Sequence, residues 1–316
     1  MITYFVTTAH RYTMDRYLHS WGAALQPIIR VCNYGQLART QWLPGGTYIF
    51  SDLERLTAAQ RAIAAEVWRQ LEAAGPSIRL FNHPTQALSR LEFLRALHAA
   101  GRNEFAVHRV GETGAPIRFP VFLRCANDHQ GSRSGILRSR PELDDAIRDA
   151  LCHALDPREL MIVEYCSAAD ADGIHHKYAA FGVGGRIIPR HLIFSRNWVL
   201  KLPDLLDAGK LAREREYLQT NPHEHVLREA FQLARIDYGR CDYAVIDSRV
   251  QIWEINTNPM VMLLPKQYQP SHLPLQQSFA ERIRATFEAI NVQPDPQLQV
   301  PIRLDRAFLD RVIAAA

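Results

Sequence analysis

The sequence predicts an α/β chain, α+β in its second part: a small open α/β layer over residues 1–110 and a larger unit over residues 111–316. Three observations carry this. Strand-like and helix-like segments alternate as far as Gly101, the pattern of helices packed on a partly parallel sheet. A run of loop composition, Gly111-Glu-Thr-Gly114-Ala-Pro116, then marks a boundary region. Beyond it, apolar runs are joined by short turns, as in antiparallel hairpins.

In order, residues 2–7 form a first strand and a helix is expected over 15–24. Residues 27–31 and 47–50 are short apolar runs, and 56–74 carry the apolar spacing of an amphipathic helix. The strand over 78–81 stops at Asn82-His83-Pro84, because proline has no N–H to give a ladder. The helix over 88–100 is closed by Gly101. In the second unit, residues 120–124 are a strand, and a helix over 141–153 opens on Pro141, a residue suited to the first helical position. Residues 160–166 read as a buried strand, and 176–183 with 186–194 as a hairpin over Gly184-Gly185. Helices over 202–218 and 224–236 precede a final hairpin, and residues 279–290 form a closing helix.

Composition narrows the function classes. With 47% apolar and 22% charged residues in a chain of 316, there is ample material for a packed core and no apolar run long enough to span a bilayer. The N-terminus enters a strand with no basic leader, so no targeting segment is expected. Five cysteines stand singly, without Cys-x-x-Cys pairs, which argues against a disulfide framework or zinc cluster and for a reducing, cytoplasmic compartment. Net charge is only +4 and the basic residues are dispersed, so no nucleic-acid partner is expected. Neither is a membrane partner, and an oligomeric state is not read from the sequence.

The most informative segment is the last hairpin, Asp242-Tyr-Ala-Val-Ile-Asp247-Ser-Arg-Val-Gln-Ile-Trp253-Glu254-Ile-Asn256-Thr-Asn258-Pro259. Two apolar strands flank a short polar turn, bringing Asp242 beside Glu254 and Asn256. The latter two are two residues apart and share a face. Two carboxylates and an amide oxygen make a hard, oxygen-only set suited to Mg²⁺, which also takes substrate phosphates. Arg240, two residues before Asp242, projects to the same face. The alternative, ordinary strand-end polar residues, leaves a Glu in a half-buried strand with nothing to neutralise it.

Three further signals are open to two readings each. The loop after residues 120–124 contains Gly131-Ser132-Arg133-Ser134-Gly135, whose backbone can approach and cradle phosphate oxygens, or form a polar surface loop. It matches neither a P-loop nor a dinucleotide fingerprint. Residues Glu164-Tyr165-Cys166 lead into an acidic stretch with Asp170 and Asp172: main chain for an adenine edge and carboxylates for ribose, or a core strand and a solvated loop. Lys177, Arg190, His191, Arg196 and Lys201 surround the Gly-Gly hairpin, as phosphate or carboxylate ligands or as the solvent face of a sheet. No Ser/His/Asp triad or activated cysteine emerges, and His175-His176 point to opposite faces of a strand and cannot easily share a metal.

Taken in this order, from about Ser89 to Pro259, the signals resemble the ATP-grasp superfamily, and the layer before them resembles that family's usual preceding domain. The resemblance implies a carboxylate–amine ligase that uses ATP and Mg²⁺, with Mn²⁺ as a substitute, on small-molecule or peptide substrates. Asp242, Glu254 and Asn256 would hold the metal, with Glu254 bridging two ions. Arg240 would be catalytic, stabilising the group in transfer. Gly131, Ser132, Arg133, Ser134 and Gly135 would close over the phosphates. Glu164, Tyr165 and Cys166 would be the adenine hinge, Asp170 or Asp172 would hold ribose, and Arg90, Arg124, Lys177 and Lys201 would add cations around the nucleotide. Two departures stand out: Arg124 and Arg90 fill positions where the family commonly has lysine, and Met260 replaces a frequent glycine after Pro259. A small-molecule kinase of the same fold and a non-catalytic ATP-binding regulatory protein are the alternatives.

Overall fold

The computed structural model describes residues 1–112, 116–201, 203–292 and 298–314. The N-terminal layer contains strands β1 (Ile2–Val6), β2 (Ile29–Asn33), β3 (Trp42–Pro44), β4 (Gly46–Phe50) and β5 (Ile78–Phe81) and helices α1 (Tyr12–Leu18), α2 (Ala58–Glu72) and α3 (Arg90–Ala99). All strands but β3 form one parallel sheet in the order β2-β1-β4-β5. β1 and β4 are buried along their whole length, as near-continuous apolar strands covered on both faces must be. Helices α2 and α3 begin at capping boxes, Thr57 with Gln60 and Ser89 with Glu92. The first helix is shorter than the sequence pattern suggests. The side chains of His19 and Ser20 turn back to the carbonyls of Asp15 and Arg16, and Gly22 lies against the Tyr17 ring, so the chain turns where apolar spacing alone would continue the helix.

The second part holds two antiparallel sheets. β6 (Val107–Arg109), β7 (Val121–Cys125) and β8 (Leu160–Glu164) form one in the order β6-β8-β7, with α4 (Arg140–Cys152) packed on β7. β9 (His175–Val183), β10 (Arg186–Ser195), β11 (Tyr238–Ile246) and β12 (Arg249–Asn256) form the other in the order β10-β9-β11-β12. The β9–β10 turn uses Gly184 and Gly185, both at positive φ. Between these hairpins lie α5 (Ala208–Thr220) and α6 (Glu224–Ala234). α5 starts later than the pattern over 202–218, because Asp207 caps it by accepting the Lys210 N–H at 2.9 Å. Leu202 and residues 113–115 of the boundary run lie outside the described residues.

α7 (Leu273–Ile290) begins before the expected position and packs on β10. β13 (Gln299–Pro301) then pairs with β3, and α8 (Arg306–Ala314) lies on α2, so the C-terminal segment returns to the N-terminal layer. One apolar cluster joins the N-terminal sheet to the four-stranded antiparallel sheet. Tyr4 meets Tyr238 edge-on, with ring centroids 5.5 Å apart, and Phe181, Phe279 and Phe287 close around them. The Tyr4 hydroxyl donates to Asn258 Oδ1 at 2.9 Å. This contact fixes the middle of β1 to the segment just past β12, beside the candidate site.

Candidate active site between the two antiparallel sheets

The β11–β12 register places Asp242 directly opposite Glu254, and Arg240 opposite Asn256. The ladder slips between Asp242 and Tyr243, leaving Trp253 as an extra residue on β12. Such a bulge re-aims neighbouring side chains, and here both Trp253 and Glu254 face one cavity of about 260 Å³.

At the polar end of this cavity each carboxylate is tied to two cations. Asp242 accepts from Arg240 Nε at 2.7 Å and from Lys177 Nζ at 2.9 Å. Glu254 Oε2 accepts from Arg124 Nη2 at 2.8 Å and forms an ion pair with Arg90 Nη2, also at 2.8 Å. Burial alone would raise both carboxyl pKa values, but the cations outweigh it. Asp242 is held below its usual range by Arg240 and Lys177, and Glu254 well below chiefly by the guanidiniums of Arg90 and Arg124. Arg240 is correspondingly raised against the effect of its own burial. Burial, with Arg124 alongside, brings Arg90 down to about 10, so it stays charged at neutral pH. Four cations therefore face two carboxylates, a surplus that suits an anionic ligand.

Asn256 completes the set. Its Oδ1 accepts the Asn258 N–H at 2.8 Å, which fixes the amide orientation and leaves a second lone pair. His129 sits beside it. Its Nδ1 faces two donors, Arg90 Nη2 at 3.1 Å and Asn256 Nδ2 at 3.2 Å, so it accepts, and its Nε2 donates to Glu54 Oε1 at 2.7 Å. Glu54 also accepts from Thr257 Oγ1 at 2.6 Å. Burial pushes the Glu54 carboxyl up, yet these bonds to His129 and Thr257 hold it at about 2. Because the folded-state pKa is depressed from the ordinary 4.5, the stabilisation is present above pH 4.5 and lost as pH falls towards 2. It is worth on the order of 3 kcal/mol. Chemical denaturation should therefore show Glu54→Gln less stable than the parent above pH 4.5, with the gap shrinking towards pH 2. A gap independent of pH would contradict this.

The other end of the cavity is apolar. Trp198 stands edge-on to Phe122, with centroids 5.1 Å apart, and to Tyr165 at 5.7 Å, and Leu94, Phe105 and Trp253 complete the wall. In the expected hinge, the Glu164 N–H is bonded to Ala106 O and the Tyr165 N–H to Pro120 O. The Cys166 N–H has no partner among the described residues. The Glu164 carboxylate is committed as well, accepting the N–H groups of Ala106 at 3.0 Å and Arg118 at 2.9 Å.

Of the residues singled out in the sequence, Arg124, Gly131, Ser132, Glu164, Tyr165, Cys166, Lys177, Lys201, Arg240, Asp242, Glu254 and Asn256 line this cavity. The others do not. Arg133 pairs with Asp128, and Ser134 Oγ accepts the Leu123 N–H while donating to Gly135 O, so that part of the loop is folded along β7. Asp170 accepts the N–H groups of Asp172 and Ile174 and pairs with His176 at 2.9 Å, which makes it a turn former, and Asp172 is exposed beside it. Arg90 is buried behind Glu254. Arg190, flagged with the hairpin cations, is bonded to Val261 O, Gln276 and Tyr268. Sequence reading missed His129, Glu54, Trp198 and Trp253. Trp198 had a signal, lying between the flagged Arg196 and Lys201. Glu54 had none, since its partners are distant in the chain.

No protein-family model and no curated protein matches the sequence. Among solved structures, a D-cycloserine synthetase superposes with a TM-score of 0.51 at 15% identity, over 90% of this chain and 100% of that one. A D-alanine–D-alanine ligase from Bacillus anthracis gives 0.49 at 15% identity, over 90% and 98%. The fold assignment rests on the first. With its open parallel layer, its two antiparallel sheets and the cavity between them, this chain has the ATP-grasp fold.

Proposed function

We propose that the protein is an ATP- and Mg²⁺-dependent ligase that activates a carboxylate for attack by an amine. The cavity suits a nucleotide triphosphate: aromatic walls with the Cys166 N–H for the base, and a surplus of cations for the phosphates. Asp242, Glu254 and Asn256 are an all-oxygen donor set that fits Mg²⁺, and they would hold it. Bound there, the ion would neutralise charge on the phosphates.

The commitment of every carboxylate in the cavity supports a carboxylate acceptor. Transfer to a hydroxyl calls for a base to take its proton. Asp242 and Glu254 are each paired with two cations, and Glu164 is bonded to two backbone N–H groups, so none is free to serve. A carboxylate acceptor is already ionised and requires no base. Its oxygen would take the γ-phosphoryl group of ATP, releasing ADP. The amine nitrogen would then attack the acyl carbon and expel phosphate, and the proton lost by the nitrogen as the amide forms would leave on that phosphate. Arg240, next to Asp242, would neutralise the oxygens of the group in flight.

Phosphate release from ATP, measured over a matrix of carboxylates and amines, tests this reading. The expected result is release that requires one member of each class. Release with a hydroxyl compound alone would indicate a kinase, and nucleotide binding without turnover a regulatory protein.

A phosphate-covering role for Gly131 and Ser132, the part of the loop that lines the cavity, has its own test. Trypsin cutting after Arg133 should slow several-fold in Mg–ATP, because two glycines make the open loop entropically easy and ligand contacts would order it. Equal cutting with and without nucleotide would rule that role out.

A further inference from the structure

Both terminal nitrogens of Arg90 meet acceptors that belong to the protein, while its buried Nε has no partner among the described residues. Its Nη1 donates to three main-chain carbonyls, Cys125 O at 3.0 Å, Ala126 O at 2.8 Å and Asp128 O at 2.8 Å. Its Nη2 lies 2.8 Å from Glu254 Oε2 and 3.1 Å from His129 Nδ1. The side chain is only 5% exposed and does not line the cavity. A residue placed to bind phosphate keeps donors pointing at open space, and here both terminal nitrogens are occupied. Three successive features of the chain converge on this one group: the end of β7, the turn that follows, and the imidazole of His129. A short polar loop with no secondary structure of its own has several conformations open to it. A planar guanidinium with fixed donor directions selects one of them, which a point-charge ammonium cannot do.

We propose that Arg90 is a positioning residue. Its guanidinium is the template on which residues 125–129 are folded and by which Glu254 is aimed at the cavity, and it is not a phosphate ligand. The Glu54–His129 bond then ties this folded segment to the N-terminal layer, so that the layer, the loop and Glu254 share one frame. The catalytic side of the proposal rests on the ligase reading, whereas the folding side does not depend on it.

The test uses full-length Arg90→Lys, which keeps the charge and loses the fork. Hydrogen–deuterium exchange without nucleotide should be at least about tenfold faster in peptides spanning residues 125–130, with β1 and β4 unchanged. With substrates, kcat should fall about a hundredfold, the scale of a misplaced reacting group, and KM for ATP should stay within about threefold. Parental exchange rates together with a defect confined to KM for ATP would overturn the proposal, since lysine would then have replaced a phosphate cation. Should the variant not fold, the parent protein decides. The proposal requires residues 125–130 to be protected without nucleotide, and exchange there at the rate of an unstructured peptide contradicts it. If no substrate pair gives turnover in the parent, the ligase reading fails while the exchange result still judges Arg90.

Discussion

Glu254→Gln is expected to lower ATP turnover by about a thousandfold, the upper end of what is lost with one central electrostatic group. Glutamine keeps the shape of the side chain and an oxygen for Arg90 and Arg124, but removes the charge that both arginines, and the proposed metal, would share. The same change leaves two buried guanidiniums facing each other without their counter-ion. It should therefore also destabilise the fold, by about 3 kcal/mol, the lower end of the cost of breaking a buried pair. Rates must be compared at a temperature where thermal melting shows the variant fully folded. Parental turnover under those conditions would remove Glu254 from the catalytic centre, and parental stability would show that the arginines are solvated in a way the bonded geometry denies.

Arg240→Met should lower kcat by about a hundredfold and change affinity for an ATP analogue much less. Arg240 lies two residues before Asp242 on the same strand, and its guanidinium is bonded to that carboxylate through both Nε and Nη2. An arginine held in this way is preorganised towards whatever Asp242 would hold, and under the proposed reading it would meet the group in flight more than the base of the nucleotide. Its contribution is thus expected in the transition state rather than the ground state. Lys177 remains as a partner for Asp242 in the variant, so the carboxylate is not left unpaired. Calorimetric titration beside steady-state rates separates the two effects. Affinity falling in proportion to rate would make Arg240 a nucleotide anchor, and no loss of either would make it structural.

What the sequence disclosed follows from how local the interactions are. The β11–β12 hairpin was legible because its register is set by a short turn and its apolar alternation, which put Asp242 opposite Glu254. The slip at Trp253 was not, since a bulge has no signature in alternation when an aromatic residue fills the extra position. The parallel layer was legible from alternating strand and helix, whereas β13 on β3 and α8 on α2 were not. They depend on contacts between opposite ends of the chain, and a three-residue strand carries no period. Arg90 was legible as a cation near a helix start. Its true neighbours come from β7, the following loop and β12, and only the folded chain brings them together.

The most direct test of the account is a crystal structure with a non-hydrolysable ATP analogue and Mg²⁺. The expected structure has the base between the aromatic walls with an edge against the Cys166 N–H, and phosphates among Arg124, Lys177 and Arg240. Metal density is expected within reach of Asp242, Glu254 and Asn256, with Arg90 still bonded to the carbonyls of Cys125, Ala126 and Asp128. Nucleotide bound outside this cavity, or bound inside it with no metal on those three residues, would contradict it.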